Sequence, residues 1–429
     1  MCFVAFIISI LTVAGALIGA AGGLANADVC KLEKQDAGYI DLPNRVDSHY
    51  FYWYFESRNE PSTDPLLVWL PGGPGMGGTY GLLAENGPFS INADLSTKLN
   101  RFSWTTQANM VWVDIPVNSG FSYSTVAEDD EFTDERVTES VFLFLQGFLK
   151  KHHELQGREL FLVGESYGGH FVPSVAHYIW KKQGEHLFYP ASPDSIPINL
   201  RGIAIGNALT DPVETFAHFV DMADNPYNVT LVNETQLAAM QAASPWTPPL
   251  RELWNPYDIR QKCDTALTNM SACMPKVPTT KGYLDLPKVR EFLGVHPIRP
   301  EWIQLNATIN FGFFGPPTFS GLLSVGDKVA DLLNAGLRVL MYVGDADLLC
   351  NFYAIEATAK KLNWFGAAGF NAAKTRPYST VSGITDAGTV RSFSHLTYVK
   401  IHNAGHMAPG DQPEVALDMI SKFIGEKTL

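Results

Sequence analysis

Short runs of β-branched and aromatic residues alternate along the chain with stretches whose apolar positions recur at helical spacing. Gly38 to Leu42 and His49 to Ser57 predict an opening antiparallel pair. Leu66 to Leu70, Met110 to Asp114, Leu160 to Val163, Ile203 to Ile205, Val339 to Val343 and Leu396 to Ile401 predict core strands. Between and after them, Asp134 to Leu155, Phe171 to Lys182 and Gln412 to Lys427 carry helical periodicity, with His152 and His153 expected at a solvated helix end. This alternation is the pattern of a mostly parallel sheet covered on both faces.

The stretch from about Asp211 to Asp327 breaks the rhythm with prolines, Asn-x-Ser/Thr sequons and two cysteines. It reads as an insertion within one domain over 28–429, placed as a cap over the carboxyl ends of the strands, where ligands bind in such folds. Neither an internal repeat nor a low-complexity linker divides the rest.

Composition narrows the class. With 46% hydrophobic and 17% charged residues among 429, the chain has enough apolar material for a large core. A formal net charge of -13 argues against nucleic acid, whose phosphates need a basic partner surface. It suits an acidic compartment such as a lysosome or vacuole. Residues 1–27 are nearly uncharged and apolar, ending in Ala25-Asn26-Ala27 before Asp28, which predicts a cleaved signal peptide and no stable membrane anchor afterwards, with a retained anchor as the alternative because the run is long enough to span a bilayer. The short interval from there to Gly38 predicts no long propeptide. Sequons at Asn228, Asn233, Asn269 and Asn306 fit glycosylation in the secretory pathway. Of the five cysteines, Cys2 lies in the leader. Cys30, Cys263, Cys273 and Cys350 show no metal-ligand spacing, so neither metal nor cofactor is expected. Cys263 and Cys273 could close a short loop, and the glycine-rich 72–78 segment lacks the Lys-Ser/Thr of a phosphate loop.

The chemistry begins where strand residues Leu160 to Val163 run into Gly164-Glu165-Ser166-Tyr167-Gly168-Gly169 and then a helix. That is a nucleophile elbow: a sharp turn lifts the serine hydroxyl above the sheet, and the helix N-terminus offers N–H groups to a developing oxyanion. The hydroxyl needs an imidazole base, and the base an acid, later in the chain. Two strands end at candidates for each, Asp345 or Asp347 and His402 or His406, and spacing alone leaves both choices open.

The chain resembles the serine carboxypeptidase family, in its carboxypeptidase Y-like branch. The resemblance runs through Trp69-Leu70-Pro71-Gly72-Gly73-Pro74-Gly75, Asp114-Ile115-Pro116, Gly120-Phe121-Ser122-Tyr123-Ser124, Gly164 to His170, Gly206-Asn207-Ala208-Leu209-Thr210-Asp211-Pro212, Asn255 to Arg260, Gly344 to Asn351 and Gly405-His406-Met407. It implies an α/β-hydrolase fold and an enzyme that removes C-terminal residues from peptides and proteins at acidic pH. It also implies Ser166 as nucleophile, Asp347 as acid, His406 as base, and Gly73 and Tyr167 as oxyanion N–H donors. Gly72, Glu85 and Glu165 would bind the substrate's terminal carboxylate, with one carboxyl of the acidic pair kept protonated.

The sequence departs from the family pattern at three places. Pro71 stands where the family has an asparagine that donates to the substrate carboxylate, and proline has no such donor. Met76 and Leu305 stand where that branch has a disulfide, and they are expected to meet as an apolar contact instead. Cys263 and Cys273 match a short-loop disulfide, while Cys350 matches a free, mercurial-sensitive thiol beside the pocket. Similar proteins include acyltransferases that pass the acyl group to an alcohol or amine, and a fold that binds without turnover is the other reading. Oligomeric state is not legible.

Overall fold

Leu66–Leu70 and Asn109–Val113 are buried at every position, as strands covered on both faces must be. They belong to a computed structural model that describes residues 33–43, 45–185, 195–242, 254–264 and 270–429. The leader, Cys30 and the Asn269 sequon lie outside the described residues.

The main strands are β1 (Gln35–Asp41), β2 (Ser48–Phe55), β3 (Leu66–Leu70), β4 (Asn109–Val113), β5 (Glu159–Glu165), β6 (Asn199–Gly206), β7 (Arg338–Gly344), β8 (Arg376–Tyr378), β9 (Gly388–Phe393) and β10 (Leu396–Ile401). They lie side by side in the order β1, β2, β4, β3, β5, β6, β7, β10, β9, β8, with the two-residue strand Tyr123–Ser124 against β2. From β4 to β10 every pairing is parallel, and antiparallel strands finish both edges. This is the α/β-hydrolase architecture. The edge strands β8 and β9 were not evident in the residue pattern: β8 is three residues long and β9 is only half buried.

Alternation along the strands feeds two cores. Leu66, Val68 and Leu70 of β3 join Phe144 and Phe148 of α1 (Asp134–Lys151) and Val172 and Ile179 of α2 (Gly168–Glu185) on one face. Leu67 and Trp69 join Trp53, Trp112 and Met419 and Phe423 of the C-terminal helix Pro413–Ile424 on the other. The first helix is shorter than its periodicity predicts. It ends at Lys151, and His152 turns back against Phe148 with Nε2 3.1 Å from Asp36 Oδ2. His152 is therefore buried, contrary to the expectation of a solvated end, and only His153 is exposed.

Between β6 and β7 the described chain forms short helices and a small hairpin, Trp254–Asn255 with Asp258–Lys262, beside a Cys263–Cys273 disulfide. Two isolated antiparallel bridges, Met76 with Leu305 and Gly120 with Ile303, join this region to the loops above the sheet. No helix among the described residues is long and apolar enough to cross a membrane.

Candidate active site

The carboxyl ends of β5, β7 and β10, all parallel strands of the same sheet, deliver Ser166, Asp347 and His406 to one side of it. Ser166 follows β5 with φ 59, the left-handed conformation of a nucleophile elbow. Its backbone is locked from both sides: N–H donates to Gly206 O at 3.0 Å, and its carbonyl accepts from Gly169 N and Leu209 N at 2.8 and 2.9 Å.

His406 Nδ1 lies 2.7 Å from Asp347 Oδ2 in a fully buried pair. The competing acid and imidazole are engaged elsewhere. Asp345 accepts from the Tyr227 hydroxyl at 2.5 Å, and His402 Nδ1 sits 2.9 Å from exposed Asp386. Asp347 is oriented by three further donors: Leu349 N at 2.9 Å, Cys350 N at 3.3 Å and Asn207 Nδ2 at 2.8 Å. Asn207, φ 43, is a contributor that reading the sequence left without a role, although its motif was visible. Tyr257 is another. Its ring meets His406 edge-on at 5.2 Å and its carbonyl takes the His406 N–H at 2.7 Å. His406 Nε2 is buried with no hydrogen-bond partner among the described residues, and His406 and Ser166 line the same cavity. The serine hydroxyl and imidazole therefore share the cavity without a hydrogen bond, an arrangement that commonly tightens when substrate arrives.

Beside them runs the turn that follows β3. A Cβ on Gly72 would stand 2.5 Å from Ser166 Cβ, so only glycine lets this backbone pass the nucleophile. Gly73 has φ +110, and a Cβ there would meet Gly75 N and Met76 N at 2.8 Å. Among the described residues the Gly73 and Tyr167 amides are not taken up by backbone acceptors, which suits them to receive an oxyanion.

The cavity holds about 250 Å³ and is lined also by Trp69, Pro71, Tyr80, Glu85 and Glu165. Glu85 and Glu165 are both buried and hydrogen-bonded to one another. Burial pushes Glu85 up to about 7, against the pull of Glu165 as a hydrogen-bond partner and of the Lys276 charge. Burial and the Glu85 charge hold Glu165 well above the ordinary carboxyl range. Two such groups cannot both ionise cheaply, so the pair keeps a proton at acidic pH. Each also has one buried oxygen, Oε2, without a partner among the described residues.

Cys350 is a free, buried thiol whose sulfur lies within 4.8 Å of ligand atoms of Asp347 and His406. Burial, then the Asp347 and Glu165 charges, push it well above the ordinary thiol value. Of the sequons, Asn228 and Asn233 are exposed. Asn306 instead caps the helix Ala307–Phe314, accepting from Thr308 N and Ile309 N at 3.0 and 3.2 Å while its Nδ2 donates to Asn118 O at 3.0 Å.

A family model described as "Serine carboxypeptidase" matches residues 28–426. Carboxypeptidase Y of Komagataella phaffii is 33% identical over 431 residues, covering 93% of this chain and 78% of that protein. A vacuolar serine-type carboxypeptidase of Saccharomyces cerevisiae is 31% identical, covering 91% and 79%. A solved prohormone-processing carboxypeptidase from Saccharomyces cerevisiae superposes with a TM-score of 0.78 at 23% identity, over 92% of this chain and 91% of that one.

Proposed function

The chain belongs to the serine carboxypeptidase family and is a serine-type carboxypeptidase, and from that premise we propose that Ser166, His406 and Asp347 release C-terminal residues through an acyl-enzyme at acidic pH. The observation that carries this is the buried 2.7 Å contact between Asp347 and His406, whose Nε2 is unpartnered among the described residues and whose ring lines one cavity with Ser166.

In the forward step the Ser166 Oγ–H proton passes to His406 Nε2 while Oγ bonds the scissile carbonyl carbon. The carbonyl oxygen takes the negative charge and is met by the Gly73 and Tyr167 N–H groups, each such donor typically worth about 2.7–4 kcal/mol of barrier. Asp347 holds the Nδ1–H and stabilises the imidazolium. His406 then gives its proton to the leaving amine as the C–N bond breaks, and water repeats the sequence on the ester. Gly72, Glu85 and Glu165 receive the terminal carboxylate of the departing residue.

The same reading places the protein in the secretory pathway, in a vacuole or lysosome or outside the cell. The Cys263–Cys273 disulfide favours an oxidising route, and glycans are assigned to Asn228 and Asn233. Fluorophosphonate labelling that disappears in Ser166→Ala, together with release of one residue from a blocked dipeptide at pH 5, is the expected result. A folded chain that takes no label and releases nothing overturns the proposal.

A further inference from the structure

A carboxylate entering this cavity meets two carboxyl side chains, so its binding depends on how many protons and N–H groups point at it. The acidic pair supplies one shared proton and Gly72 one backbone N–H. Pro71, which lines the same cavity, supplies none. A charged ligand with two oxygens and up to four lone-pair sites is left short of donors.

Tyr80 also lines the cavity and is 3% exposed. It is carried on the short turns Thr79–Gly81 and Leu82–Asn86, which bring Glu85 to the cavity as well. Its phenol lies within electrostatic reach of Glu85 and Glu165, with no hydrogen bond at its hydroxyl among the described residues. Burial and those two neighbours hold it well above the ordinary phenol value, so it remains a neutral donor throughout the acidic range.

The other polar side chains of the lining are placed differently. Asn310 Nδ2 donates to Pro74 O at 3.1 Å. Tyr257 belongs to the triad end, where its ring meets His406 and its hydroxyl feels Asp347 and Cys350. Trp69 Nε1 lies against Gly81, 2.6 Å from where a Cβ would stand.

We propose that Tyr80 is a substrate-binding residue whose hydroxyl donates to the terminal carboxylate, completing with Gly72 and the Glu85–Glu165 pair a seat that Pro71 leaves open. The proposal rests on the carboxypeptidase reading of this cavity, but it is testable without turnover. Binding of a blocked Phe-Leu dipeptide and of its C-terminal amide is measured by calorimetry at pH 5 on Ser166→Ala and on Ser166→Ala with Tyr80→Phe. Thermal melts control for folding.

Loss of one hydrogen bond to a charged group predicts that Tyr80→Phe weakens the free acid about tenfold more than the amide. Adding Pro71→Asn to Tyr80→Phe restores most of that selectivity. Equal losses for acid and amide, or a selectivity within twofold of the parent, overturns the role of Tyr80. Loss of selectivity in a chain that shows no turnover with Ser166 intact leaves Tyr80 as the anion donor and removes only the catalytic reading.

Discussion

Met76 and Leu305 face one another as an isolated antiparallel bridge, tying the turn after β3 to the segment that leads into the Ala307–Phe314 helix. Residues paired in this way have Cα atoms about 4.5–5.5 Å apart, within the span that a disulfide accepts. Backbone pairing thus keeps in contact two loops that are far apart in the chain.

Met76→Cys with Leu305→Cys is accordingly expected to oxidise to a cross-link without disturbing the fold. Faster migration on non-reducing gels and a melting temperature that falls on reduction would report it. The typical gain is about 2–4 kcal/mol. Two persistently free thiols would show that the loops do not hold this register in solution.

Asn207 donates to the carboxylate oxygen of Asp347 that also holds His406. Asn207→Ala removes a hydrogen bond to a charged acceptor, typically about 1.5–3 kcal/mol. The variant should lower kcat about tenfold or more, and slow fluorophosphonate labelling of Ser166 in parallel, with KM little changed. A loss confined to KM would place Asn207 in substrate binding instead.

The acidic pair sets the pH response. Burial raises Glu85 to about 7 and holds Glu165 well above the ordinary carboxyl range, so the protonated form that accepts a substrate anion is present at low pH and lost as pH rises through about 7. KM for free-acid peptides should climb between pH 6 and 8, and Glu85→Gln should flatten that climb. The same raised carboxyls, with Asp114 pushed up to about 6 by burial, contribute stability that is fully present below the unfolded carboxyl range and lost as they ionise. Melting should therefore occur at a higher temperature at pH 5 than at pH 8.

Cys350 is buried, and its raised value leaves little thiolate at acidic or neutral pH. Iodoacetamide should leave activity intact at pH 6. A mercurial, which binds sulfur beside Asp347 and His406, should abolish it, and Cys350→Ser should resist. Rapid alkylation with loss of activity would show a more open thiol.

The local pattern carried most of the scaffold. Uninterrupted apolar runs such as Leu66 to Leu70 announce buried strands, and the Gly164 to Gly169 segment announces its turn, because both signals lie within a few consecutive residues. The weakly patterned strands Arg376–Tyr378 and Gly388–Phe393 escaped detection, since a short, half-buried edge strand needs no regular alternation. The Asp134–Lys151 helix ends earlier than its pattern for a related reason. Periodicity continues past Lys151, but Phe148 and Asp36 draw His152 out of the helix and into the core.

Spacing left Asp345 level with Asp347 and His402 level with His406, because each pair sits just past the end of one strand. Their partners come from elsewhere in the chain: Tyr227 takes Asp345, Asp386 takes His402, and Asn207 leaves Asp347 turned toward His406. Tyr80 shows the same division. Its identity is plain in the sequence, but its place beside Glu85 and Glu165 depends on strands β3 and β5 lying next to each other. Residue order determines which side chains are available at each strand end, and packing of the sheet decides which of them share a cavity.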